Sequence, residues 1–302
     1  MLEALFQTGH AAVSYAGLGI FHTGNKNGSP YLAYDKYKFD NDTITTSSNL
    51  PLQRVGHVGI GNWNVGLFCA GQTLGSTSAS YSLSTDKLTY ANMSMGTGSN
   101  LSTAVTQAAG ASSGTLGLVI GGFTGAIRST AVNRYTFADN TRTAGNGISP
   151  GRTVGTAVGN KDNGDIWGGN DGSNTLNTTQ VYTHANGIWA AGVNIGTAKT
   201  GSSSFSSPTT GYFAGGSAAG TTTFKYDYAA GTVGGGTALG AARANLSACG
   251  GATRGIIAGG STALTTVERY LIAGDAVSSG TALPQGRHNL GSTSTSPGGF
   301  SA

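Results

Sequence analysis

GRTVGTAVGNKDNGDIWGGNDGSNTLNTTQVYTHANGIW, residues 151–189, holds one complete structural unit. Its small-residue run, Arg152 to Gly159, predicts a strand. The polar residues Asn160 to Asn163 predict a turn, and Gly164 to Trp167 an apolar strand closed by Gly168-Gly169. A polar loop follows, then a third strand ending Gln180-Val181-Tyr182. Asn186-Gly187 suits a type I′ hairpin turn, which needs positive φ at both central residues. A last strand runs through Ile188-Trp189. The stretch therefore reads as four antiparallel strands in meander order, called a to d from the inside outward.

The unit returns along the whole chain. A glycine opens the apolar strand at Gly19, Gly66, Gly117, Gly164, Gly211, Gly255 and Gly299, at spacings of 47, 51, 47, 47, 44 and 44 residues. Short strands repeating at such a period are the signature of a β-propeller, one blade per repeat. A tyrosine lies 15 or 18 residues after the glycine at Tyr37, Tyr81, Tyr135, Tyr182, Tyr226 and Tyr270. Turn residues come next, at Asn41-Asp42, Asp86, Asp139-Asn140, Asn186-Gly187, Gly231 and Gly274-Asp275. A basic residue stands 12 positions before the glycine at Arg54, Arg152, Lys199, Arg243 and Arg287, with Gln7 and Val105 at the other two places. There are seven a–b pairs and six c–d pairs. A ring must close to hide its edge strands, so seven blades are expected, with six as the alternative. In the seven-bladed reading the residues before His10 pair near Phe300.

A basic residue in the inner strand, an apolar strand ending in Gly-Gly (121-122, 168-169, 215-216, 259-260) and a Tyr before a turn resemble the kelch repeat over nearly the whole chain. Kelch repeats carry a Trp after the Tyr, and here only Trp189 fits. The resemblance implies an all-β, kelch-like propeller of four-stranded antiparallel blades, a single domain over residues 1–302. The Ser/Thr/Gly-rich, charge-poor texture resembles bacteriophage structural proteins with such repeats.

Composition points the same way. Gly numbers 52, and charged residues are 9%, against about 25% in an average soluble domain. A net charge of +4 from 16 basic and 12 acidic groups is sparse charge, not a basic patch, so no nucleic-acid partner is expected. No apolar run is long enough to span a membrane, and Met1-Leu2-Glu3 lacks the basic region of a signal peptide. Cys69 and Cys249 fall in opposite parts of the ring, so no disulfide is expected.

The search for chemistry yields few candidates. Asp40, Asp42, Asp86, Asp139 and Asp275 fall in the c–d turns, where Asp satisfies its own backbone. The string Asn160 to Trp167 looks like the Asp-box of sialidase propellers but occurs once and in the wrong turn, and no second acid completes a glycosidase pair. His10, His57 and His288 fall in inner strands that ring closure makes neighbours, although their offsets differ. No copper ligand set, phosphate-binding loop or nucleophile elbow is expected, hence no enzyme, cofactor or metal. The five basic residues are expected to form a ring at the channel mouth, either bridging adjacent blades or holding an anion. The reading is a structural or attachment protein of a virion, partnered by other virion proteins in a symmetric multi-copy assembly. The alternative is a glycan-binding module, extracellular or at a cell surface, that meets a host glycan through loop aromatics such as Tyr31, Tyr34 and Trp63.

Overall fold

The computed structural model describes residues 17–26, 29–47, 53–73, 80–217 and 220–294, and no helix occurs among them. The chain is a β-propeller of four-stranded antiparallel blades, six of them among the described residues. Blade 2 comprises Val58–Gly61, Val65–Cys69, Thr85–Thr89 and Ser94–Thr97, as strands a to d. Blade 3 comprises Ala109–Ser112, Leu116–Ile120, Val132–Thr136 and Thr141–Gly145; blade 4, Thr156–Gly159, Asn163–Trp167, Thr179–Thr183 and Ile188–Ala191. Blade 5 comprises Ser203–Ser206, Thr210–Ala214, Thr223–Asp227 and Thr232–Gly236; blade 6, Ser247–Gly250, Arg254–Ala258, Val267–Leu271 and Ala276–Ser279.

Blade 1 is composite. Strands b to d are Leu18–His22, Tyr34–Lys38 and Thr43–Ser47, while its inner strand is Gly291–Ser294 from the other end of the chain. Gly19 faces Ser294 and His22 faces Gly291 across this seam. Of the two blade counts, the described ring takes the six-bladed alternative, because Gly291–Ser294 completes blade 1 instead of starting another. A further three-stranded ribbon (54–55, 72–73, 80–81) is built of two-residue strands and is not a blade. The expected pairing of the residues before His10 near Phe300 lies outside the described residues.

The inner strands are joined by a closed belt of backbone hydrogen bonds. Two residues before each inner strand stands a residue with positive φ: Gly56 (62°), Gln107 (56°), Val154 (48°), Gly201 (62°), Asn245 (55°) and Asn289 (54°). The N–H of each donates to the carbonyl of its counterpart one blade earlier. The links are Gln107 to Gly56 (2.6 Å), Val154 to Gln107 (3.0 Å), Gly201 to Val154 (3.0 Å), Asn245 to Gly201 (2.7 Å) and Asn289 to Asn245 (2.9 Å). Gly56 closes the circle on Asn289 at 3.0 Å. Within the belt the strands leave no room for side chains at the glycines. A Cβ on Gly59 would fall on the Ser292 carbonyl oxygen, and one on Gly159 would lie 2.5 Å from that of Ser112. The axis keeps cavities of about 160 and 100 Å³ lined by all six inner strands.

Strand b of each blade is buried, and its outward faces fill the spaces between blades. Phe21, Tyr37, Cys249 and Ile256 pack blade 6 against blade 1, and Phe205, Tyr212, Ile257 and Tyr270 pack blade 5 against blade 6. Both cysteines are free and buried, in separate blades. The repeat glycine sits opposite the repeat tyrosine in the pairs Gly19–Tyr37, Gly117–Tyr135, Gly164–Tyr182, Gly211–Tyr226 and Gly255–Tyr270. In blade 2 the partner of Gly66 is Leu88. Tyr81 belongs to the facial ribbon, and Asp86 lies on strand c, not in a turn. The b–c connection of blade 2 is longer than the others, which displaces both expected positions. The left-handed residue of the c–d turn is Asp42, Met93, Asn140, Gly187, Gly231 or Asp275 in blades 1 to 6. Asp42 and Asp275 do more than close their own turns. Each accepts a tyrosine hydroxyl, from Tyr37 or Tyr270, and a backbone N–H from the preceding blade, Thr281 or Thr237, both at 3.2 Å.

Left-handed φ is costly for a β-branched residue and tolerated by Asn. Val154→Asn, which copies Asn245 and Asn289, should therefore raise stability by about 1 kcal/mol. Gly59→Val should lower it by about 1–3 kcal/mol, as expected of overpacking. Urea midpoints of the two variants test both.

Candidate functional site

The five basic residues occupy one position, four residues before the inner strand. They are buried, at 0–3% exposure, so the expected ring at the channel mouth is corrected to a set of side chains folded into the blades. The cause is the Gly-Gly turn. Both of its residues have positive φ, including Thr23 and Ala70, which stand for the first glycine in blades 1 and 2. This turns the first residue's carbonyl inward, where the long basic side chain meets it. Arg54 donates to Ala70 O (3.0 Å), Arg152 to Gly168 O (3.0 Å), Lys199 to Gly215 O (2.8 Å) and Arg243 to Gly259 O (2.9 Å). The main chain of the same residue serves the neighbour. Gly122, Gly169, Gly216 and Gly260 N–H groups donate to the carbonyls of Arg152, Lys199, Arg243 and Arg287. The side chain thus holds its own blade and the carbonyl holds the preceding one.

Sequence reasoning missed the partners of these cations. The second residue of strand c is Asp35, Asp86, Asn133, Gln180, Phe224 and Glu268 in blades 1 to 6. Arg287 pairs with Asp35, Arg54 with Asp86 and Arg243 with Glu268, all buried. Lys199 instead lies 5.1 Å from the centroid of Phe224, and burial lowers its pKa to about 8. Arg152 faces no acid at this position, and its Nη2 and Nε have no partner among the described residues. Blade 3 has Val105 for the base and Asn133 for the acid. A signal was present, since five of these residues stand two positions before the repeat tyrosine.

The histidines divide. His10 lies outside the described residues, and His288 bridges to Asn25 through the backbone. His57 meets His22, at 3.0 Å between Nε2 and Nδ1, and His57 Nε2 also accepts the Gly291 N–H at 3.2 Å. Because Nε2 accepts the Gly291 N–H, the proton of neutral His57 sits on Nδ1, 3.4 Å from Thr23 Oγ1. His22 stacks on Phe68 with centroids 4.0 Å apart. Burial, then the neighbouring His57, Arg54 and Arg287, holds His22 well below the usual imidazole range, and burial with Arg54 lowers His57 to about 3. No group of three potential metal-ligating side chains occurs among the described residues.

The remaining candidates are dispersed. Asp165 is fully buried at a position that is apolar or aromatic in the other blades, and burial raises it to about 7. Its carboxyl oxygens have no partner among the described residues. Asp162 lies in the exposed turn beside Lys161. Of the loop aromatics, Tyr31 lies under the Arg287 guanidinium (4.2 Å), Tyr34 is buried with its hydroxyl toward Met93 O, and Trp63 is exposed. No family model matches the chain, and no curated protein matches it.

Arg243→Ala should cost about 3–5 kcal/mol, because it strands the buried Glu268 carboxylate. Arg152→Ala strands no acid and should cost less, about 1–3 kcal/mol; chemical denaturation ranks them. The seam histidines set a pH dependence. Both have lowered pKa values in the folded state, so the unfolded chain takes up their protons first. Their contribution is complete above pH 6.5 and is lost as pH falls below it. Denaturant midpoints between pH 7 and 5 should fall more steeply for the native chain than for His57→Gln.

Proposed function

We propose that this chain is a non-enzymatic structural and attachment module of a virion, a kelch-like propeller working through protein–protein contacts in a multi-copy assembly. The observation that carries this reading is an arc of exposed apolar side chains. Leu32 (48% exposed), Leu83 (41%) and Ile127 (65%) stand in the b–c connections of three consecutive blades, on one face of the disc. Exposed apolar groups gathered on one face mark a contact surface. The buried pairs and the belt make the disc rigid, so such a contact costs little reordering. The virion setting rests on the Gly/Ser/Thr-rich, charge-poor texture of the chain.

The alternative, a glycan-binding module, is favoured by an uncharged groove on blade 4. For the main reading, Leu83→Asp with Ile127→Asp should leave the melting temperature within a degree or two, since neither side chain is buried. The double variant should be lost from purified particles. Particles that retain it at native stoichiometry would overturn the assignment of this face.

A further inference from the structure

The geometry points to a binding site for an uncharged saccharide at the outer edge of blade 4, an inference that rests on the glycan-binding reading and not on the assembly reading. A groove of about 560 Å³ lies between strands c and d of blade 4 and the segment arriving from blade 3. It is several times roomier than the axial cavities and falls in the range of about 300–1,000 Å³ typical of ligand sites. Trp189, Gln180, Thr179, Asn194 and Ser149 supply its aromatic and polar lining, and no charged side chain lines it.

Two of the positions at which blade 4 breaks the repeat, Trp189 and Gln180, line this groove. The second residue of strand d is Ile44, Met95, Arg142, Val233 or Val277 in the other blades, and Trp189 here. Its indole N–H donates to Asn146 O at 2.7 Å, and its ring packs on Tyr182 with centroids 5.0 Å apart. The aromatic plane is therefore fixed before any ligand arrives. Gln180 stands where the other arginine-bearing blades carry an acid. Its amide N–H turns to Ser149 O at the rim, away from Arg152. Blade 4 thus lacks the buried ion pair of blades 1, 2 and 6, and Arg152 Nη2 is left unpartnered among the described residues. A local rule broken at a structural cost marks a position selected for something other than stability. Gln180 Oε1 has no partner among the described residues, and Ser149 and Asn194 add polar groups to the groove.

An aromatic plane offers a stacking surface to the C–H face of a sugar ring. Amide and hydroxyl groups beside it match ring hydroxyls, which both donate and accept. The absence of charge from the lining selects a neutral sugar over a sialylated or phosphorylated one.

The intact chain, screened on an array of neutral and sialylated oligosaccharides, should retain neutral members. Titration of the best of these should show at least tenfold weaker binding for Trp189→Ala and for Gln180→Ala, with Trp63→Ala unchanged. Gln180→Glu is the sharper variant. It supplies the acid that blade 6 has in Glu268, so it should melt higher while binding at least tenfold more weakly. Trp189→Phe keeps a ring on Tyr182, and it reports on the site should Trp189→Ala fail to fold. The proposal is overturned by an array that retains no neutral oligosaccharide at millimolar ligand, by retention of sialylated members alone, or by neutral binding that survives Gln180→Glu and Trp189→Phe undiminished. None of these results touches the assembly reading, which the Leu83 and Ile127 variants test separately.

Discussion

Six inner strands lie so close to one another that glycines such as Gly59 and Gly159 have no room for a Cβ, and each strand is tied to the next by one backbone hydrogen bond at a left-handed residue. The rest of the molecule follows from that belt. Left-handed backbone turns each chain segment into its inner strand at the same height, so the blades start in register. Register then fixes where the first glycine of strand b meets the tyrosine of strand c, and where the c–d turn meets the blade before it. Glycine, asparagine and glutamine fill five of the six belt positions. Val154 fills the sixth against its own preference, which shows that the belt imposes its geometry on the residue.

The buried cations solve a problem that the Gly-Gly turn creates. Two successive residues with positive φ leave carbonyls facing inward, and an unpaired buried carbonyl is costly. A long basic side chain satisfies them but brings a charge indoors, which must itself be met. The blades answer in different ways: three with a carboxylate, one with an aromatic face under a lysine, one without the cation. Blade 4 keeps the arginine without its acid. Cation and partner vary together blade by blade: where the base is replaced by Val105, the strand-c position carries the uncharged Asn133.

Much of the architecture is legible in the residues because glycine is used where no other residue fits. Glycines at the head of strand b and in the Gly-Gly turns mark excluded Cβ atoms and positive φ, so their spacing reports backbone geometry directly. Legibility fails where spacing was assumed constant. The longer b–c connection of blade 2 set Tyr81 at a plausible distance and hid Leu88 and Asp86. It fails again at the seam, since local sequence does not reveal that Gly291–Ser294 belongs with Leu18–His22, nor that His22 and His57 meet there. The basic residues were recognised by their period, but their burial depends on the direction of the Gly-Gly carbonyls, a three-dimensional fact. The acids two residues before the tyrosine could have announced it.

The seam has a mechanical consequence. Gly19 faces Ser294 at one end of the pairing and His22 faces Gly291 at the other, so the chain leaves both strands at the same end. Tension applied through the two flanking segments therefore peels the bonds one after another, as a zipper opens, instead of shearing them together. The peeling front reaches His57, which holds the Gly291 N–H, last. Blades 2 to 6 are continuous meanders and have no such line of parting. In an assembly under load, the propeller would open at blade 1, with the histidine pair as its final catch.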